Sequence, residues 1–224
     1  MSSFSTDKAK EVISASQVIK GNHIFWCYLV ASTSCPKFII VIIIPGSTAL
    51  VALVHGAHLV VANVGDSRGV LCDKKGQAVP LSFDHKPQQL KEHKRIKEAG
   101  GFITFNGVWR VAGVLATSRA LGDFPLKDRR LVVAQPDVLT FNLTDLGATF
   151  MVLASDGLWD ALSNDDAVAF AAPHLDEPLC GARSLVNRAY DIGSLDNISA
   201  LVVDLRGVVG GLGQGDGRTQ VAGE

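Results

Sequence analysis

From Gly46 onward, short apolar runs alternate with clusters of turn-forming residues. "TALVALV" and "HLVVANV" predict two strands joined by the short "HGA" turn, and "GVLCD" with "QAVPL" predicts a second hairpin across "KKG". "FITFNGVWRV" alternates around Asn106-Gly107, a strong hairpin signal. "LVVAQPDVLTFNL", "TFMVLAS" and "ISALVVDL" read as further strands. Helices are predicted near 87–99, opened by Pro87 and ended by Gly100-Gly101, near 164–172, capped by Ser163 with Asp166, and near 182–191. The first of these has few apolar positions, so most of its charges belong to a solvated face.

The early strands connect by hairpins, and a parallel doubly wound sheet would need a helix after nearly every strand. The expected fold class is therefore α/β of the α+β type, with mainly antiparallel sheets from Ala49 to Leu205. Residues 1–45 stand apart. Their apolar stretch "HIFWCYLVASTSCPKFIIVIIIPG" is split by Pro36 and Lys37, and neither half reaches the roughly 20 residues of a membrane helix. Its flanks do not resemble a signal peptide. A strand is the favoured reading, with "FIIVIII" an aggregation hazard if exposed. Residues 206–224 hold seven glycines and are expected to lack regular structure. The organisation is thus an N-terminal segment 1–45, a domain 46–205 and a Gly-rich tail 206–224.

Composition narrows the class. At 224 residues, 47% hydrophobic and 19% charged, the chain suits one domain with a sizeable core. A net charge of −1 gives no reason to expect nucleic acid or an anionic membrane as partner. Cys27, Cys35, Cys72 and Cys180 form no C-x-x-C pair and read as reduced thiols of a cytoplasmic protein.

Candidate chemistry lies in the carboxylates. Asp66 in "GDSR" and Asp156 in "DGLWD" each follow an apolar strand, and Asp196 in "DNIS" precedes one. Three aspartates at strand ends of one domain can form an oxygen-rich nest for a hard divalent cation. Gly157 would let backbone approach such a site. Each element alone has a plainer reading. Asp-Gly and "GDS" are common turn compositions, Asp160 can serve the start of the next helix, and His55 and His58 suit an exposed hairpin turn. Trp109 and Trp159 read as core or rim aromatics. Asn197-Ile198-Ser199 matches a glycosylation acceptor, but it heads a strand in a chain with no sign of secretion.

In order, "VANVGDSRGVL", "DHKP", "RIKEAGGFI", "RVAGVLATSRALGD", "VLASDGLWDAL" and "DNISALVV" resemble the successive blocks of the protein phosphatase 2C family of metal-dependent serine/threonine phosphatases. The resemblance covers roughly Gly46 to Leu205. It implies two antiparallel sheets packed face to face with helices outside, an α-β-β-α sandwich. It also implies Mg2+ or Mn2+, two per site in the family, with Asp156 and Asp196 as metal ligands and Asp66 at a weaker third metal. Phosphoprotein substrates and a monomeric state follow from the same resemblance. In the family's reaction, metal-activated water attacks a phosphoserine or phosphothreonine in line.

The family's phosphate-binding arginine, acidic block and Asp-Gly-His-Gly-Gly loop, which lie upstream of a strand matching "GSTAL", have no counterpart here. The sandwich is therefore expected to be incomplete, with fewer metals than two and no catalytic histidine or arginine identified. Two readings follow: a metal-dependent phosphatase impaired in this chain, or a non-catalytic phosphatase-like binding module. A hydrolase with a nucleophilic aspartate is disfavoured, because no D-x-D motif follows a strand.

Overall fold

The computed structural model describes residues 14–17, 26–31 and 46–211, and side chains from Gly46 to Val208. Two sheets pack face to face. The first contains β3 (Ala49–His55), β4 (His58–Val64) and β9 (Asp137–Asn142), with β2 (Trp26–Ala31) added along β3, in the order β2-β3-β4-β9. Its pairings are antiparallel except that of β2 with β3, which is parallel. The second contains β1 (Ser14–Gln17), β5 (Arg68–Cys72), β6 (Ala78–Pro80), β10 (Phe150–Ala154) and β11 (Ser199–Asp204), all antiparallel, in the order β1-β11-β10-β5-β6.

β10 explains the layering. All five of its residues are buried, because both of its faces are covered. Met151 and Leu153 point into the core between the sheets, against Leu50, Ala52, Leu59 and Val61. Phe150, Val152 and Ala154 face the helices α4 (Asp156–Trp159), α5 (Asn164–Ala171) and α6 (Ala182–Asp191), meeting Leu158, Val168 and Leu185. The other sheet is covered on one face only among the described residues. Its inward positions Leu50, Ala52, Leu59 and Val61 are buried, whereas Val51, Leu53, Val60 and Ala62 are half-buried and Val138 is exposed. Among the described residues, the expected sandwich has its outermost layer on one side.

A smaller unit sits beside the sandwich. Helix α1 (Leu90–Glu98) and the hairpin β7 (Ile103–Asn106) and β8 (Val108–Val111) share a cluster of Ile96, Val111, Ala120, Leu131 and Val132. The hairpin turns at Gly107, where φ is +72°, so the Asn-Gly signal is borne out. Helix α1 begins at Leu90 rather than Pro87, because residues up to an extended Gln89 form a turn, with Gln89 N–H donating to the Lys86 carbonyl. It ends as predicted: Gly100, φ +76°, donates to Lys97 and Gly101 donates to Ile96, the two bonds of a Schellman stop. Ser163 caps α5 by accepting from Asp166 N–H at 3.1 Å.

Two further expectations need correction. The strand predicted over "LVVAQPDVLTFNL" covers only Asp137–Asn142, since Leu131 and Val132 are drawn into the α1 cluster and Pro136 has no N–H for a ladder. Arg206–Gly211 forms a helix, α7, although the Gly-rich tail was expected to be irregular. Arg206 is anchored by Asp204 and Asp176, and Val208 packs on the inter-sheet core. Residues 212–224, like "FIIVIII", lie outside the described residues. Most charges of α1 face solvent as expected, and Glu92 is the buried exception. Three short helices are not among those predicted, α2 (Phe124–Lys127), α3 (Leu143–Leu146) and α4.

Glu92 explains how this unit is held to the sandwich. It accepts from the buried Arg119 at 2.6 Å, from Arg95 at 3.0 Å and from the Ser118 hydroxyl at 2.9 Å. Burial resists the carboxylate, but these donors outweigh it and hold the carboxyl down to about 2. Arg119 reaches onward to Asp137 Oδ1 at 2.9 Å at the start of β9. Removing one member of such a pair leaves a charge without its partner in a dry site. Arg119→Met is expected to cost about 3 kcal/mol, read as a lower urea midpoint. The double variant Glu92→Gln/Arg119→Met should recover part of that loss. A single variant that melts with the parent would contradict this account.

Candidate metal-binding site

The carboxylates gather where the β4–β5 turn, the end of β10 and the start of β11 meet. Asp156 is placed by a backbone contact. A Cβ on Gly157 would run into the carbonyl of Asn197, so glycine alone allows the two segments to come this close. Ser155 then stitches the crossing: its hydroxyl donates to the Asn197 carbonyl at 3.1 Å and accepts from Ser199 N–H at 3.0 Å. Ser194 adds a hydroxyl bond to the Gly157 carbonyl at 2.6 Å. Together these bonds bring Asp196 beside Asp156.

Asp66 arrives from the other side. Gly65, φ +110°, lies so near Thr48 that a Cβ there would clash. Gly65 N–H donates to His85 Nδ1 at 3.0 Å, and His85 N–H donates back to the Gly65 carbonyl at 2.9 Å. Because Nδ1 accepts, the ring proton sits on Nε2, facing Asp137 Oδ2 at 3.3 Å. Burial and the nearby Arg119 push the imidazole pKa down, which keeps the ring neutral. The next residue, Lys86, donates to Asp66 Oδ2 at 2.8 Å and lies 4.0 Å from Asp156 Oδ2. Neither residue carried a sequence signal beyond its place in "DHKP".

Arg68 braces the same corner. It grips Asp84 with two bonds at 2.9 and 2.7 Å and lies over the Trp159 ring. Trp159 is buried and donates to the carbonyls of Arg68 and Ala154, whereas Trp109 is a rim aromatic beside Phe105. His55 and His58 pair across the exposed β3–β4 turn, far from the carboxylates in sheet register.

The three sequence-predicted aspartates therefore share one end of the sandwich. Their electrostatics shows it. Asp156 is pushed up to about 7, first by burial and then by Asp66, against the pull of Lys86, with Asp196 and Asp160 adding to the rise. Asp160 thus also acts on this site. For Lys86 the cost of burial is outweighed by Asp66, Asp156 and Asp160, and its pKa is raised. Carboxylate oxygens suit a hard divalent ion. Among the described residues, however, no three carboxylate, imidazole or thiol groups are disposed to hold an ion between them. The donor chemistry fits such an ion; the ring of donors is not closed.

The Asp156 shift fixes a pH dependence for the metal-free protein. In the fold the carboxyl keeps its proton to about pH 7, against an ordinary 3.8. Its contribution to stability is therefore fully present below 3.8 and is lost as pH rises to about 7. Asp156→Asn is expected to flatten this decline and to raise the melting temperature above pH 7 in the presence of chelator. Parallel melting curves for parent and variant between pH 5 and 8 would contradict the assignment.

Comparison with known proteins follows the same lines. The family model described as Protein phosphatase 2C matches residues 36–198. "Protein phosphatase 1L" of Bos taurus is 61% identical over 161 residues, covering 72% of this chain and 45% of that protein. "Probable protein phosphatase 2C 76" of Arabidopsis thaliana is 51% identical over 161 residues, covering 72% of this chain and 37% of that protein. Among solved structures, a serine-threonine phosphatase 2C from Toxoplasma gondii superimposes with a TM-score of 0.63 at 29% identity, over 71% of this chain and 58% of that one. A sex determining protein of C. elegans gives 0.60 at 28% identity, over 67% and 38% of the two chains. The chain spans less than half the length of the two curated relatives. With its sheets, its carboxylate corner and a family match over most of its length, the chain belongs to the protein phosphatase 2C family.

Proposed function

We propose that this chain carries one side of the active site of a metal-dependent protein serine/threonine phosphatase. The observation that supports this reading most is the convergence of Asp66, Asp156 and Asp196 on one corner, within a family whose named relatives are protein phosphatases. Asp156 and Asp196 would hold Mg2+ or Mn2+, and Asp66 with Asp156 a weaker ion. A bound metal pair supplies an activated water and neutralises phosphoryl charge. The protein's part is positioning. Ser155, Ser194 and Gly157 fix Asp156 against Asp196, and the His85 ring fixes the loop of Asp66. Phosphoproteins are the proposed substrates, for a monomeric, cytoplasmic protein. Cys72 and Cys180 are free and buried, which accords with a reducing compartment. No helix among the described residues is long and apolar enough to cross a membrane.

The unclosed donor ring supports a second reading, a phosphatase-like module that binds phosphoprotein without turnover. The two are separated by activity. The 224-residue chain is expected to bind Mn2+ weakly and to release little or no phosphate from a phosphothreonine peptide. Fusion to the upstream segment of a relative that carries Asp-Gly-His-Gly-Gly should raise turnover by orders of magnitude, since the groups of such a site act as one unit. Mn2+-dependent turnover by the chain itself, abolished in Asp156→Ala, would show the present donors to be sufficient. Inactivity of the fusion would favour the binding module.

A further inference from the structure

The contacts of Lys86 are unusual for a lysine. Its backbone is fixed on both sides. His85 exchanges two bonds with Gly65, and the His85 carbonyl accepts from Ser118 N–H at 2.8 Å and Thr117 Oγ1 at 2.9 Å. Pro87 stiffens the following step. From this anchored point the side chain, only 22% exposed, delivers its ammonium to Asp66 Oδ2 at 2.8 Å and within 4.0 Å of Asp156 Oδ2. Asp66 is itself 10% exposed at the side chain, so its charge has little solvent to rely on. The other nearby cation, Arg68, is committed to Asp84 and Asn164.

We propose that Lys86 is the internal counter-ion of the Asp66–Asp156 pair, and that a divalent ion binding these two carboxylates must expel its ammonium. The inference rests on the reading of Asp66 and Asp156 as metal ligands. A hard cation takes carboxylate oxygens at about 2.0–2.6 Å. An ion on Asp66 Oδ2 would then stand within a few ångströms of a group already bonded to that oxygen, and two cations so close repel strongly in a half-buried site. A lysine stem is flexible, so the ammonium can swing out while its backbone stays fixed. The carboxylates thus keep their geometry without metal, at the expense of metal affinity. Lys86 becomes a residue that sets how much Mg2+ or Mn2+ this edge of the site demands.

The test compares the full 224-residue parent with Lys86→Met and Lys86→Arg. Mn2+ is titrated calorimetrically at pH 7.5, and melting is followed with chelator and with saturating Mn2+. Lys86→Met is expected to bind Mn2+ about tenfold more tightly, the size of a single coupling of this kind. It should melt lower than the parent in chelator and gain more from Mn2+. Lys86→Arg keeps the charge and should bind Mn2+ like the parent. In the parent, the 15N-ammonium resonance of Lys86 should shift or exchange-broaden as Mg2+ saturates the site, a readout that does not require any variant to fold. Equal or weaker Mn2+ binding by Lys86→Met, or an ammonium signal unmoved at saturating Mg2+, would overturn the proposal. Mn2+ bound by none of the three would instead overturn the metal-site reading. The counter-ion role would then be decided by the chelator melts, upheld by a lower Lys86→Met melting point and refuted by an unchanged one.

Discussion

The contact between Gly157 and the Asn197 carbonyl is the constraint on which the site depends. Two adjacent antiparallel strands, β10 and β11, end and begin at this point, and their side chains would ordinarily hold the connecting segments apart. Glycine removes the obstruction, and Ser155 and Ser194 then bond the segments together. The close approach brings two carboxylates from opposite ends of a long excursion, through α5 and α6, to one corner. Any side chain at 157 would separate them.

That corner concentrates negative charge in a place poor in solvent, and the surrounding architecture answers it in layers. Lys86 bonds the buried Asp66 directly. His85, neutral, contributes hydrogen bonds without adding charge. Beyond it, Asp137, Arg119 and Glu92 continue the network into α1, so the unit bearing the exposed Phe105–Trp109 hairpin is tied through buried ion pairs to the loop of Asp66. Such a chain of fixed dipoles and charges orders a site that its carboxylates alone would push apart. It also means that disturbance of α1 should be felt at Asp66, although neither residue touches the other.

The apolar layers set the limits of the domain. The sheet carrying β10 is packed on both faces, and its strands read as continuous apolar runs for that reason. The other sheet is packed on one face, and its outward valines and leucine are only half-covered among the described residues.

The sequence by itself determined the local elements and the identity of the ligand candidates. Period-two patterning, the Asn106-Gly107 turn, the Ser163 cap and the Gly100-Gly101 stop are decided by neighbours along the chain, so the three longer helices and the strands from β3 to β11 are legible with small errors at their ends, except β9, whose start lies six residues beyond the start of the apolar run that announces it. The strand ends bearing Asp66, Asp156 and Asp196 were legible for the same reason. Tertiary structure alone decided the rest. Glu92 sits in a highly charged stretch and is buried only because Arg119, 27 positions on, meets it there. Lys86 becomes a counter-ion, and Asp160 a contributor to the site, through the crossing of segments remote in sequence. Val208 and Arg206 turn the start of a glycine-rich tail into helix by packing on a core and by ion pairs that no local pattern announces. Pairing partners at long range are set by packing and charge, and these leave no periodicity to read.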